Sequence, residues 1–483
     1  PVLALLGQVT TSNMNEGFFQ EVNTPKLFDD VAVYNKTVMA SDNLGQIVDT
    51  AIRTAFTEKG VAVLTIPDDL PAQKETASYQ DSAAAFALNV PKVDPKQLED
   101  VASMLQQAQK PLALIGRGAE HAGALVQKFV EANHIPFIQT MPAKGTIADD
   151  HPNSLGNVGK LGTKPAYEAM KATDLLFMIG TNYPYTPYLP AEGQAKCVQI
   201  DTRPENLGKR YSVDVAVDGD VGTFFTELNA KGSLRDDDRF LKACQKNMES
   251  WNKWMSEKRL LATNPASPEA VFATIDQTAP KDAIYSIDVG TSTSWGARFL
   301  NVQPTQKYTI SAWLGTMGCG LPGAIAGAEA FPKRQNISVA GDGAFAMVMQ
   351  DFVTAVKYKL PIIMVVMNNQ KLAFIEYEQQ SAGQLNYEID LADMDYAKIA
   401  EAAGGIGYTA RSNDEFKNAL AKAYKETDKP VLINTYVQDD APLPGKIVGD
   451  EAKGYMKYGS EYLENYWKIP SMPPLKDIMR QFF

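Results

Sequence analysis

Hydrophobic positions along the chain fall into two alternating patterns, short unbroken runs and longer amphipathic ones. The clearest case spans residues 336–369. NISVAG (336–341) and PIIMVVMN (361–368) are continuous apolar runs of strand length. Between them, FAMVMQDFVTAVKYKL (345–360) carries apolar residues at helical spacing. Two such runs flanking a helical period predict a βαβ unit whose strands are buried on both faces. Asp342 and Asn369 then stand just past the carboxyl ends of parallel, neighbouring strands. Open α/β sheets bind ligands at that edge.

The alternation recurs. Residues 111–116, 136–140, 174–180, 196–201 and 213–220 read as strands, with helical patterns separating the first four. Residues 283–290, 308–312, 336–342, 361–368 and 430–437 form a second series with helices between them. Each series predicts a parallel sheet covered on both faces. Ahead of them, VLALLG and VAVLTIP (61–67) read as strands around a helix over 42–60, with Asp42 as its cap and Gly60 as its stop. Residues 71–95 read as a linker and 231–265 as a charged helical connector. Residues 441–483, bearing prolines and aromatics, read as a tail lying over a surface. The expected fold class is α/β, with successive doubly wound parallel-sheet domains over 1–75, 80–230 and 265–440.

Composition narrows the function. A chain of 483 residues suits two or three domains of roughly 100–200 residues each. With 46 basic against 57 acidic residues the net charge is −11, which argues against nucleic acid and against an anionic membrane surface. No apolar run reaches the ~18 residues of a membrane span. Three histidines and three scattered cysteines leave no material for a multi-histidine metal site, a histidine-based triad or a disulfide framework, and fit a reducing cytosol. The opening PVLALLG lacks the basic flank of a signal peptide.

The strand-end residues are informative by type. Asp342 offers an anionic oxygen, Asn369 an amide oxygen, and a loop carbonyl a third, a set suited to Mg²⁺ or Ca²⁺. Gly341 and Gly343 let backbone approach a ligand, and a helix starting near Ala344 would direct N–H groups at an anion. The expectation is Mg²⁺ holding a diphosphate. A capped turn is the plain alternative, but Gly-Asp-Gly and Asn-Asn separated by a helix and a strand favour the ligand site.

These residues resemble the metal–diphosphate signature of thiamine-diphosphate enzymes. AIYSIDVG (283–290), GTMGCGLPGAIAGA (315–328), LAFIEYEQ (372–379) and MNEGFFQEVN (14–23) resemble the pyruvate oxidase branch of that family. The resemblance implies a pyrimidine-binding domain, here a remnant over 1–75, a central FAD-binding-like domain over 80–230 and a diphosphate- and Mg-binding domain over 265–440. It implies that Asp342, Asn369 and the main-chain carbonyl of Lys371 ligate Mg²⁺. Val289, Gly290 and Thr291 would line the diphosphate or thiazolium side. Met317 would be the apolar wedge that bends the cofactor, although core packing is the ordinary role of a methionine. Glu378 would be an acid beside the substrate and Phe374 an aromatic on the same loop. Phe19 and Gln20 would approach the reacting carbon from the first domain.

Flavin is implied by three segments in order, TMPAKG (140–145), GTNYP (180–184) and IDTRP (200–204), with Thr140, Asn182, Asp201 and Arg203 as candidate contacts. LIGRGAEHAG (114–123) adds Gly116 and Gly118, an incomplete dinucleotide fingerprint with His121 in the third glycine's place. A flavin-free middle domain, as in the decarboxylases, is the alternative. The glutamate that such enzymes use to activate the aminopyrimidine normally lies upstream of a strand like PVLALLG. The chain is therefore expected to be an N-terminal truncation with little turnover.

The implied reaction is oxidative decarboxylation of pyruvate to acetyl phosphate or acetate, using thiamine diphosphate, Mg²⁺ and FAD, with phosphate and oxygen as co-substrates, in a cytoplasmic homodimer or homotetramer. Alternatives are a quinone-linked dehydrogenase triggered by lipid at its tail, an acetolactate-synthase-like carboligase, and a non-catalytic cofactor-binding fragment or regulatory subunit.

Overall fold

The computed structural model describes residues 1–74, 92–438, 445–447, 449–467, 470 and 475–482. The chain divides into two compact units, Pro1–Val90 and Pro91–Phe483. The first is a three-stranded parallel sheet of β1 (Val2–Gln8), β2 (Ala32–Thr37) and β3 (Val61–Pro67), in the order β1-β3-β2. Helix Leu44–Thr57 lays Ala51 and Ala55 against Ala62 and Leu64 of β3. Its N-cap is Asn43 rather than Asp42, which lies in a short 3-10 turn, and it ends before Gly60.

The second unit holds two parallel sheets. One is formed by β4 (Pro111–Ile115), β5 (Phe137–Gln139), β6 (Leu175–Ile179), β7 (Lys196–Asp201) and β8 (Val215–Asp218), in the order β5-β4-β6-β7-β8. The other is formed by β9 (Ile284–Ile287), β10 (Lys307–Thr309), β11 (Asn336–Gly341), β12 (Ile363–Asn368), β13 (Ile406–Ala410) and β14 (Val431–Tyr436), in the order β10-β9-β11-β12-β14-β13.

Period-two burial explains the unbroken apolar runs. Val339, Val365 and Ile433 enter one core with helices Pro268–Thr278, Thr291–Phe299 and Asn413–Ala423. Ala340, Val366 and Leu432, their sequence neighbours, enter a second core on the opposite face, with helices Gly320–Ala330 and Tyr396–Ala402. The five-stranded sheet divides in the same way, Ile115 and Phe177 to one core, Leu114 and Met178 to the other. Each fully buried Val, Leu, Ile or Phe contributes about 1.5–3 kcal/mol of transfer free energy.

Four sequence expectations are corrected. The β6–β7 connection holds only a 3-10 turn, Thr186–Tyr188, because Pro184, Pro187 and Pro190 interrupt any helix. Strand β13 was not foreseen; it is an edge strand whose residues are mostly half-buried, so its apolar signal is weak. The 345–360 crossover is not one helix. It breaks into Asp342–Ala346, a 3-10 turn Met349–Asp351, and Phe352–Lys357. Val348 leaves helical geometry (φ −135°) and its side chain lies against Gly318. The tail contains an 18-residue helix, Gly449–Tyr466, in the proline-free stretch between Pro444 and Pro470. Most of the 71–95 stretch lies outside the described residues. Among the described residues no helix is long and apolar enough to cross a membrane.

Candidate active site

Strand order places the site. The chain leaves β9 toward β10 on one side and leaves β11 toward β12 on the other, so a topological switch point falls between β9 and β11. Val339 pairs with Ile287 and Gly341 with Met367, which sets the ends of β9, β11 and β12 side by side. Val289, Gly290 and Thr291 follow β9; Gly341, Asp342, Gly343 and Ala344 follow the body of β11; Asn369 and Lys371 follow β12.

Asp342 is 2% exposed. Its Oδ1 accepts Gly343 N–H at 2.9 Å and its Oδ2 accepts Gln370 N–H at 2.7 Å. Among the described residues no basic side chain pairs with it. Burial pushes its carboxyl up to about 6, against the pull of those two N–H groups. Asn369 Oδ1 accepts Lys371 N–H at 3.2 Å. The donor set therefore has one buried carboxylate lacking a counter-charge, one amide oxygen and loop carbonyls, all at one sheet edge. That chemistry fits a hard divalent cation. Among the described residues no three His, Cys, Asp or Glu side chains cluster for a metal, so the cation's remaining oxygens would come from backbone and ligand.

Beside the acid there is room for an anion. A Cβ on Gly290 or Gly341 would meet nothing within 4 Å. Gly290, at φ +141°, is the N-cap of helix Thr291–Phe299 and no side chain caps that end. The first N–H groups of the helix thus face the opening without a side-chain partner. Helix Asp342–Ala346 starts at Asp342, two residues earlier than expected.

Met317 lies across this edge. Its Cε is 3.7 Å from where a Gly343 Cβ would stand, an ordinary contact, while Leu372 Cδ2 at 2.8 Å and Leu391 Cδ1 at 3.1 Å are what crowd that position. The loop carrying it is tied to β9 by Asp288, which the sequence reading missed. The buried Asp288 carboxylate accepts N–H from Val289 at 2.7 Å, Gly318 at 2.8 Å and Gly320 at 2.8 Å. Burial raises its pKa while those donors lower it. A signal for it existed: SIDVG, like VAGDG, ends an apolar strand on an acid with a glycine within two residues. The glycines of GCGLPGAIAGA have a packing cause. A Cβ on Gly320 would stand 2.8 Å from Ser338 Oγ, one on Gly323 2.9 Å from Ser286 Oγ, and one on Gly327 would collide with Asn336 Oδ1. The helix therefore lies directly on polar side chains of β9 and β11.

The helix Ala373–Ser381 carries the next candidates. Phe374 is half-buried, its ring 5.9 Å from that of Tyr377. Glu378 is exposed; the buried acid of this helix is Glu376. Phe19 and Gln20 belong to the first unit, where Phe19 is 79% exposed and Gln20 has a positive φ.

The five-stranded sheet has its own switch point, between β4 and β6. Here the two glycines have a packing cause. A Cβ on Gly116 would collide with Gly180 O and Thr181 Cβ, and one on Gly118 would lie 2.8 Å from Gly180 Cα. Both glycines serve the close approach of two chain segments. Thr140, Asn182 and the pair Asp201 and Arg203 stand at the carboxyl ends of β5, β6 and β7. Asn182 Nδ2 donates to Asn206 Oδ1 at 3.1 Å, while its buried Oδ1 has no partner. Asp201 accepts Arg203 N–H at 2.9 Å. An orphaned acceptor among polar strand-end groups fits a ligand with ribose or ring N–H donors.

Comparison with known proteins agrees with this geometry. Residues 288–435 match the model of the thiamine pyrophosphate enzyme C-terminal TPP binding domain, and residues 98–228 that of the thiamine pyrophosphate enzyme central domain. The Bacillus subtilis protein YdaP, named for containing thiamine pyrophosphate, is 41% identical over all of this chain and 83% of its own length. A pyruvate oxidase of Lactiplantibacillus plantarum is 34% identical over all of this chain and 81% of its own. An acetolactate synthase of Mycobacterium bovis is 27% identical over 92% of this chain and 74% of its own.

Proposed function

The chain belongs to the thiamine pyrophosphate enzyme family, and on that premise we propose that it catalyses oxidative decarboxylation of pyruvate to acetyl phosphate or acetate, with Mg²⁺ and FAD beside thiamine diphosphate. The observation that carries the reading is the buried Asp342 carboxylate without a cationic partner, at a switch point with open space beside it. Burying an unpaired carboxylate is costly, and a bound divalent cation offsets that cost.

Bound thiamine diphosphate supplies the nucleophilic carbon and FAD the electron acceptor. On this reading Asp342, Asn369 and the Lys371 carbonyl hold Mg²⁺, and the N–H groups after Gly290 and Gly341 receive the diphosphate. Met317, anchored through Asp288, sets the cofactor's shape. Phe374 screens the reacting groups from water, and Glu378 handles a proton there once a second subunit covers it. Trp313 and Leu314, 73% and 82% exposed in the loop before Met317, support a homodimer or homotetramer. Thr140, Asn182, Asp201 and Arg203 hold the flavin, supported by the orphaned Asn182 Oδ1.

The test supplies thiamine diphosphate, Mg²⁺, pyruvate, phosphate and oxygen to purified protein, after its absorption spectrum has been recorded. Flavin bands with acetyl phosphate or acetate formation support the proposal. Acetolactate as the main product selects the carboligase reading, to which the acetolactate synthase relatives lend weight. Cofactor binding without turnover selects a non-catalytic role, and activation by lipid vesicles with a quinone acceptor selects the dehydrogenase.

A further inference from the structure

The loop that would supply the third metal ligand is held from two sides. On one side, residues 370–372 pair with 389–391. Leu391 N–H reaches Gln370 O at 2.8 Å, Leu372 N–H reaches Ile389 O at 2.8 Å, and Lys371 bridges Asp390 in antiparallel fashion. On the other side, Lys371 Nζ lies 3.5 Å from Glu376 Oε2. Glu376 is 8% exposed, and its Oε1 accepts Asn386 Nδ2 at 2.5 Å and Gln380 Nε2 at 3.3 Å. Gln380 Nε2 also reaches Asn386 Oδ1 at 3.3 Å. One buried carboxylate therefore joins Lys371, the helix Ala373–Ser381 and the segment at 386. It acts on a backbone that needs holding, since Gln370 sits at φ +59°, a left-handed conformation that a residue with a side chain adopts only under constraint.

We propose that Glu376 is a positioning residue for the metal: by clamping the Lys371 side chain and Asn386 together it aims the Lys371 main-chain carbonyl at the cation. The proposal rests on the metal reading of Asp342, Asn369 and Lys371. Glu376 touches neither metal nor substrate; it acts through Lys371, as outer-shell carboxylates act through the groups they orient.

The experiment titrates Mg²⁺ into the full chain saturated with thiamine diphosphate, by calorimetry, alongside thermal melting of the cofactor-free protein. The variants are Glu376→Gln, which keeps the shape and removes the charge, Lys371→Met, which keeps the carbonyl and removes the ammonium, and the double variant. Each single change is expected to weaken Mg²⁺ affinity by about 10–100-fold, the range for outer-shell partners, with the double no worse than the weaker single. Mg²⁺ affinity of Glu376→Gln within about twofold of the parent overturns the proposal, and so does a lowered melting temperature with unchanged affinity. Should Glu376→Gln fail to fold, Lys371→Met decides by the same criteria. A parent protein that binds no Mg²⁺ with thiamine diphosphate overturns the metal reading itself, a separate result.

Discussion

Asp342 Oδ2 and the Gln370 N–H meet at 2.7 Å across the ends of two neighbouring parallel strands. The contact ties the acid after β11 to the loop after β12, and it leaves the acid without a counter-charge. The folded carboxyl is raised to about 6, from 3.8, chiefly by burial. Between those values the folded chain keeps a proton that the unfolded chain has released. Metal-free stability from this group is therefore highest below the unfolded value and declines as pH rises through the window, by at most about 3 kcal/mol. Denaturant unfolding in chelator from pH 4 to 8 should show Asp342→Asn gaining on the parent by that order as pH rises, while the variant loses Mg²⁺ binding. A parent-to-variant difference that stays flat across this range contradicts the unpaired state of Asp342.

Helix glycines separate packing from propensity. Gly327→Ala places a methyl group against buried Asn336, and the overpacking cost of about 1–3 kcal/mol should exceed the ~1 kcal/mol helix gain of alanine. Gly459 lies inside the helix Gly449–Tyr466 with nothing within 4 Å of a Cβ, so Gly459→Ala should stabilise by about 0.5–1 kcal/mol. Thermal melting of the two variants should move in opposite directions.

The strand ends were legible because they depend on local signals. Continuous apolar runs mark β11 and β12, and a polar residue after each marks the edge, so the residue pattern alone sets Asp342 and Asn369 at one sheet edge. Burial by tertiary partners was not legible. Nothing in EYEQ tells that Glu376 turns inward and Glu378 outward, since that depends on Asn386 and Lys371 arriving from elsewhere. The packing of Gly116 and Gly118 against Gly180, some sixty residues on, was equally out of reach of the incomplete fingerprint they belong to. The broken 345–360 crossover likewise answers to Val348 meeting Gly318, a contact that helical periodicity cannot express.

A buried ion pair joins the two sheets of the second unit. Lys144 Nζ lies 2.5 Å from Asp149 Oδ2 and 3.2 Å from Ala297 O, and the same carboxylate oxygen accepts Val302 N–H at 2.8 Å. Burial already raises the Asp149 pKa, and the Lys144 ammonium holds it down. Lys144→Met would leave that carboxylate unpaired and should destabilise by about 3–5 kcal/mol at neutral pH. The loss should shrink on acidification, which neutralises Asp149, and Lys144→Met with Asp149→Asn should recover part of it. Melting of the single and double variants at two pH values checks this; a single variant as stable as the parent contradicts it.

Met317 tests whether shape at the switch point matters to chemistry. The side chain is half-buried and packs at the margin of the core that holds Ala344 and Phe345, so its removal costs less than that of a fully buried side chain. Met317→Ala should therefore melt within a few degrees of the parent. If the residue sets the cofactor's geometry, a displacement of about 1 Å is enough to cost on the order of 100-fold in turnover. Met317→Leu keeps apolar bulk and should retain most activity, while thiamine diphosphate affinity, which on the proposed reading is set mainly by the metal and the backbone N–H groups, should change less than turnover in both. Equal loss of affinity and turnover in Met317→Ala would instead make the methionine a binding contact, and unchanged turnover would return it to ordinary packing.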